Sequence, residues 1–155
     1  MSNDLMNIEF EVLGLSELDN ALAELTLSMQ KKTLEGALMK AALPIMKAAK
    51  KNANKSEAAH QLKYNDGQTF TIQPGTLKKS IGRQRMKKSK LPSVTVRVKK
   101  SRGKPYPYYW HFVERGNSRM VATPYLRPAF EQNVELAIQL FSEELTKRID
   151  KLTQD

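Results

Sequence analysis

The sequence predicts an α+β domain: a small curved antiparallel sheet packed against an N-terminal Ala-rich helix and a long C-terminal helix. Three observations predict it. Apolar residues recur at spacings of three and four from Leu126 to Leu152. Small and apolar residues do the same from Thr33 to Asn52. Short stretches at Asn7–Leu13, Ser93–Lys99 and Tyr108–Glu114 alternate with period two, the mark of half-buried strands. With 155 residues and 40% hydrophobic content, the chain is expected to form one domain, 1–155, with a modest core.

In the first strand Ile8, Phe10 and Val12 alternate with Asn7, Glu9 and Glu11, and Gly14 ends it. Ser16, three residues before Asp19, has the spacing of a helix cap. Leu18, Leu22, Leu25 and Met29 then form one apolar helical stripe. In the second helical stretch Leu34, Ala37, Leu38, Ala41, Ala42, Ile45, Ala48 and Ala49 make an Ala-rich face suited to close packing. Pro44 lies inside it, which predicts a kink or break near Leu43.

Residues 53–75 are polar and contain Gly67, Pro74 and Gly75. They predict a long mobile loop, in which Asp66-Gly67 could close a small hairpin between Leu62, Tyr64 and Phe70, Ile72. Thr76–Ile81 suggests one short helical turn. Ser93–Lys99 is expected as a strand with Val94, Val96 and Val98 inside and Thr95, Arg97 and Lys99 outside. A Pro/Gly turn follows. The next strand, Tyr108–Glu114, is expected to alternate Tyr108, Trp110 and Phe112 against Tyr109 and His111. In the last helix Leu126, Phe130, Val134, Ala137, Ile138, Phe141, Leu145, Ile149 and Leu152 share a stripe, and Pro128 suits its first turn.

Charge is the strongest functional signal. Gly67 to Val113 holds twelve lysines and arginines and no acid, while the whole chain carries +10. The remainder is therefore slightly acidic, at −2. One electropositive face implies a polyanion or an acidic protein surface as partner. The candidate contacts are Arg83, Arg85, Lys87, Lys88, Lys90, Arg97, Lys99, Lys100 and Arg102. Self-repulsion predicts a basic loop or arm over 82–92. The competing reading is a solvated strand face whose lysines discourage edge pairing.

Chemistry is less visible. There is no cysteine, which removes disulfides and thiolate sites. No apolar run approaches the roughly 20 residues of a membrane span, and the N-terminus has no secretory pattern. His60 and His111 sit in no ligand spacing, and no nucleophile, phosphate-loop or paired-carboxylate motif appears. The expectation is no enzyme, no metal and no cofactor, with Glu114 as the one acid to test for a Mg²⁺-dependent nuclease. The aromatic run from Tyr106 to Phe112 could stack bases. Its alternation favours one packed face and one interface face.

Tyr108-Tyr109-Trp110-His111-Phe112-Val113-Glu114-Arg115-Gly116, followed after a polar loop by Thr123-Pro124-Tyr125-Leu126-Arg127-Pro128-Ala129, resembles the signature of a tailed-bacteriophage family. Its members are described as head–tail joining, neck or tail-completion proteins, sometimes as minor tail proteins. Upstream, Leu77-Lys78-Lys79-Ser80-Ile81 and the Ala/Lys-rich helix Ala41–Lys51 are similar too, so the likeness spans about residues 34–144. The chain departs from the pattern at Arg115-Gly116-Asn117, where the family more often has an aromatic before Gly and Thr after it.

The resemblance implies a non-catalytic virion protein of the neck or tail, assembled in the bacterial cytoplasm as a homo-oligomeric ring. Six or twelve subunits are expected from the family. The implied partners are further copies, neighbouring connector and tail proteins, and double-stranded DNA in the lumen. A closed ring needs two different patches that meet. Tyr106, Tyr109, His111, Glu114, Arg115, Asn117 and Arg127 are the candidates for an oligomer or partner interface. The alternative is a nucleic-acid-binding domain without sequence preference, acting through the basic 78–104 segment.

Overall fold

The computed structural model describes residues 15–154 apart from Gly103. The strand expected at Asn7–Leu13 lies outside the described residues. The element order is α1 (Leu15–Ala23), α2 (Leu27–Asn52), β1 (His60–Lys63), β2 (Thr69–Ile72), α3 (Thr76–Ser80), β3 (Ile81–Arg85), β4 (Val94–Val98), α4 (Trp110–Arg115) and α5 (Leu126–Thr153). This is the α+β class expected. The strands form two antiparallel hairpins, β1–β2 and β3–β4.

The frame is α2 against α5. Ala37, Ala41, Ala42 and Ala49 are buried on α2, and Ala129, Ala137, Leu145 and Ile149 on α5. Small side chains on both helices let the backbones approach closely. Gly36 leaves room for a side chain of α5 to lie across α2: a Cβ there would meet the Arg148 guanidinium at 2.4 Å. One core gathers Ala37, Leu145 and Ile149 under Leu18, Leu22 and Leu34. The other gathers Ala49, Leu77, Ile81, Val98, Tyr125 and Ala129.

The stripe expected to run unbroken from Leu18 to Met29 is interrupted. Leu25 N–H donates to the Leu22 carbonyl, and Thr26 then caps α2 with its hydroxyl accepting from Met29 N–H at 3.4 Å. Thr26 has extended φ/ψ, as a cap requires. Ser16 is already inside α1, so it does not cap it. Conversely, α2 runs through Pro44 without a break. Earlier in α2, the Met39 carbonyl accepts from the Arg83 guanidinium. The carbonyl that Pro44 leaves without a helical donor is that of Lys40, the residue after Met39.

The polar 53–75 segment contains the hairpin suggested by Asp66-Gly67. Leu62 pairs with Phe70. Tyr64 N–H donates to the Gln68 carbonyl at 2.8 Å, and Gly67 takes a φ of +81° in the turn. Tyr64 ties this hairpin to the aromatic segment: its hydroxyl donates to the Tyr106 carbonyl, and its ring meets Tyr108 edge-on at 5.4 Å.

Two sequence expectations need correction. Gly82–Arg85, placed in a basic loop over 82–92, belongs to β3 and pairs with β4 through Gly82–Arg97, Arg83–Val96, Gln84–Thr95 and Arg85–Val94. Only the remainder connects the strands. The second correction concerns Tyr108–Glu114, which is not a strand. Trp110 N–H donates to the Pro107 carbonyl at 3.0 Å, Val113 N–H to Tyr109 at 3.2 Å, and Gly116 N–H to Phe112 at 2.7 Å. These bonds span three and four residues and make α4. The residues facing the core are Tyr106, Tyr109, Trp110 and Val113, spaced as on a helix rather than by twos.

Candidate functional site

The junction between α4 and α5 is built around one carboxylate. Glu114 Oε2 accepts from Tyr125 N–H at 2.8 Å and from Leu126 N–H at 2.9 Å, and Oε1 accepts from Arg127 N–H at 2.9 Å. Tyr125 is the N-cap of α5. A helix leaves its first four N–H groups without internal acceptors. Here three go to Glu114, and the fourth position is Pro128, which has no N–H. The carboxylate also sits at the positive end of the helix dipole. One acidic side chain and one proline therefore satisfy the whole helix start.

Tyr125, beside that cap, is fully buried. Its hydroxyl donates to the Trp110 carbonyl at a long 3.5 Å. Burial first, and then the neighbouring Glu114 charge, pushes its phenol far above the usual range. Around it, Trp110 Nε1–H donates to the Tyr106 hydroxyl at 3.0 Å. Tyr109 touches His60 edge-on at 6.0 Å, and its phenol is also raised, chiefly by burial.

Gly116 turns the chain out of α4 with φ +73° and ψ 178°, a conformation open essentially to glycine alone. A Cβ there would lie 2.8 Å from the Ala122 nitrogen and 2.9 Å from the Met120 oxygen. Both are backbone atoms that cannot swing aside. Gly116→Ala should therefore destabilise the protein by about 2 kcal/mol or more, measured by urea unfolding. Ser118→Ala at the exposed tip should be neutral. Equal stability of the two variants would disprove this account of the turn.

The loop that follows is pinned from several sides. Asn117 and Met120 form an isolated bridge, with Asn117 N–H donating to Met120 at 2.9 Å. Arg119 N–H donates to Asn117 Oδ1, Thr123 N–H to the Val113 carbonyl, and Asn54 Nδ2–H to the Thr123 hydroxyl. The tip it presents is apolar: Val121 is 85% exposed and Met120 39%. Phe112 and Met120 also line a groove of about 430 Å³ with Leu62, Tyr109 and Val113.

The expected interface residues thus divide. Tyr106, Tyr109 and His111 are half-buried, and the His111 ring lies between those of Trp110 and Phe112. Glu114 has both oxygens occupied by backbone N–H groups, which leaves it poorly disposed to hold a Mg²⁺ ion. Arg115, Asn117 and Arg127 are exposed. Arg127 pairs with Glu131 at 2.8 Å, and that bond raises its pKa.

The basic residues divide too. Arg83 and Arg85 point inward to α2. Arg83 binds the Met39 carbonyl, and Arg85 approaches Glu35 at 3.9 Å. Arg97 lies on the outer face and donates to Gln84 at 2.8 Å. Lys99 is half-buried, and its stem crosses over Gly82. Lys87, Lys88 and Lys90 project from the β3–β4 connection, and Lys100 and Arg102 are exposed past β4. Sequence reasoning missed Lys50, which lines a cleft with Lys79, Arg83 and Lys99; Lys79 fell within the basic 78–104 segment but was not singled out as a contact. The available signal was the lysine series on the last turns of α2.

Among the described residues, no group of three or more His, Cys, Asp or Glu is placed to hold a metal ion. No described helix is long and apolar enough to cross a membrane.

No curated protein and no solved structure matches the chain. A family model does, over residues 16–116, about two thirds of the sequence. Its description is "Bacteriophage HK97-gp10, putative tail-component". The matched span runs from α1 to the glycine that ends α4, and the Pro124–Ala129 start of α5 lies beyond it. The chain belongs to the HK97-gp10-like family of bacteriophage tail components.

Proposed function

We propose that the protein is a structural joint of the head–tail connector: a neck or tail-completion ring that links the DNA-filled head to the tail and lines part of the DNA passage. Family membership carries this reading. Its partners are further copies of itself, adjoining connector and tail proteins, and the DNA in the lumen. Its place is the neck or tail of the virion, after assembly in the host cytoplasm.

The apolar loop tip supports the reading. A ring closes through two unlike patches on each subunit. Exposed apolar side chains held on a hydrogen-bonded loop present little entropy to lose on association. The Met120–Val121 tip with Phe112 is one such patch. Phe130 on α5, 47% exposed, is the candidate for the other.

Val121→Glu and Phe130→Glu should each abolish self-association while leaving the thermal midpoint within a few degrees, because neither side chain is in the core. Native mass measurement reads the oligomer, and assembly of infectious particles from separated heads and tails reads the joint. A wild-type chain that stays monomeric and never enters particles would refute the proposal.

A further inference from the structure

Four basic residues from separate parts of the fold line one open cleft. Lys50 comes from α2, Lys79 from α3 and Arg83 from β3, and Lys99 is the residue after β4. The cleft has a volume of about 370 Å³, and no carboxylate lines it. None of the four takes part in an ion pair among the described residues. Lys50, Arg83 and Lys99 are half-buried, so water screens their mutual repulsion less well than on an open surface. Like charges gathered in this way are relieved by a bound anion.

Gly82 shapes the floor of the cleft. A Cβ at this position would come within 2.6 Å of Lys99 Cε and 2.9 Å of its Nζ. The absent side chain is what leaves room for the Lys99 stem and ammonium to lie over β3. Met39 and Met46 complete the apolar part of the lining. No aromatic side chain is present, so nothing offers the stacking surface that single-stranded bases use.

We infer that this cleft is a phosphate site for the backbone of double-stranded DNA. The positive charge does not stop at its rim. Arg97 lies on the outer face of β4, two residues before Lys99, and Lys100 and Arg102 are exposed just beyond the strand. Further exposed cations next to the cleft residues in the chain suit a polymer of evenly spaced charges better than the one or two carboxylates of a protein side-chain contact. The cations contact phosphate and read no sequence. The inference rests on the tail-joint proposal only for the source of the DNA; the cleft itself is a property of one subunit.

Binding of a labelled duplex to the full chain, followed by fluorescence anisotropy against salt, tests it. About four phosphate contacts predict that log K falls with log salt at a slope of about −3 to −4. Lys50→Ala with Lys99→Ala should weaken binding at low salt at least about tenfold and flatten the slope by about 2. Gly82→Ala should weaken binding by displacing the Lys99 head, with an unchanged melting curve. Lys87→Ala with Lys88→Ala, in the β3–β4 connection, is the control and should lose less than the cleft pair.

Equal loss in the cleft and control pairs would reduce the effect to general charge and overturn the site. Polyglutamate of matched charge binding more tightly than the duplex would give the cleft to an acidic protein partner instead. Inorganic phosphate displacing the duplex at matched phosphate concentration would make it a site for the free ion. A cleft variant that loses DNA yet still forms oligomers and particles separates this inference from the tail-joint proposal, which would then stand.

Discussion

Tyr125→Ala should be the most damaging single truncation in the chain, costing about 3–5 kcal/mol in urea unfolding. The ring is fully buried and fills the space where α4, α5 and the β3–β4 hairpin meet. Removing it leaves a cavity within the core of Ala49, Leu77, Ile81, Val98 and Ala129. Tyr125→Phe should cost less than about 1 kcal/mol, because the hydroxyl contact to Trp110 is long at 3.5 Å. The contrast assigns the residue's value to packing. A phenylalanine variant as weak as the alanine variant would reverse that assignment.

The same residue predicts a response to alkali. Its phenol is held neutral in the fold by burial and by the Glu114 carboxylate, so its folded pKa stands above the unfolded value of 10.0. An acid whose neutral form is favoured by folding contributes fully below the unfolded pKa and loses that contribution as pH rises past it. Stability should fall above pH 10, with this one group contributing up to about 1.4 kcal/mol per pH unit. Tyr125→Phe should remove that part of the slope. An identical alkaline decline in both proteins would show that other groups control it.

Glu114→Ala should cost about 3 kcal/mol. It removes the acceptor of three backbone N–H groups at once, and charge-assisted bonds are worth more than neutral ones. The loss is less than three full desolvation penalties, because Arg127 is exposed and water can reach its N–H. Glu114→Gln retains one carbonyl oxygen of the two acceptors and should fall between. Stability measured by urea and helicity by circular dichroism should fall together. A stable Glu114→Ala variant with intact helicity would mean that the start of α5 needs no external acceptor.

Much of the fold was legible because long amphipathic repeats are hard to mistake. The C-terminal stripe ran from Leu126 to Leu152, and α5 spans Leu126–Thr153. Asp66-Gly67 marked a real hairpin, since the backbone there needs a positive φ. The failure at Tyr108–Glu114 has a definite cause. Aromatic and β-branched residues favour strands on average, and alternation can be found in any dense aromatic run. The spacing Tyr106, Tyr109, Trp110, Val113 was equally present and is helical, and Pro107 with Gly116 bounded it. Pro44 misled in the opposite direction, because its local penalty was outweighed by the packing of α2 against α5.

The site was less legible than the fold. A count of basic residues cannot separate Arg83 and Arg85, turned toward α2, from Arg97 on the outer face of the same hairpin. Strand register decides that. Nor could sequence show that Lys50 and Lys79 join Lys99, since they lie 49 and 20 residues away from it. Glu114 stood out as a lone acid near the basic face, and its role at the α5 start emerges only once α4 is seen to be a helix.

The dependence of α5 on a carboxylate from α4 has a consequence for synthesis. As the chain leaves the ribosome, α2 displays its alanine face with nothing to lie against, and both cores stay open until the final 28-residue helix emerges. The clamp for that helix has already been made, so its first turn can lock as soon as it appears. Until then the nascent chain is vulnerable to aggregation and proteolysis, and a premature stop codon anywhere within α5 would be harsher on yield than its distance from the basic cleft suggests.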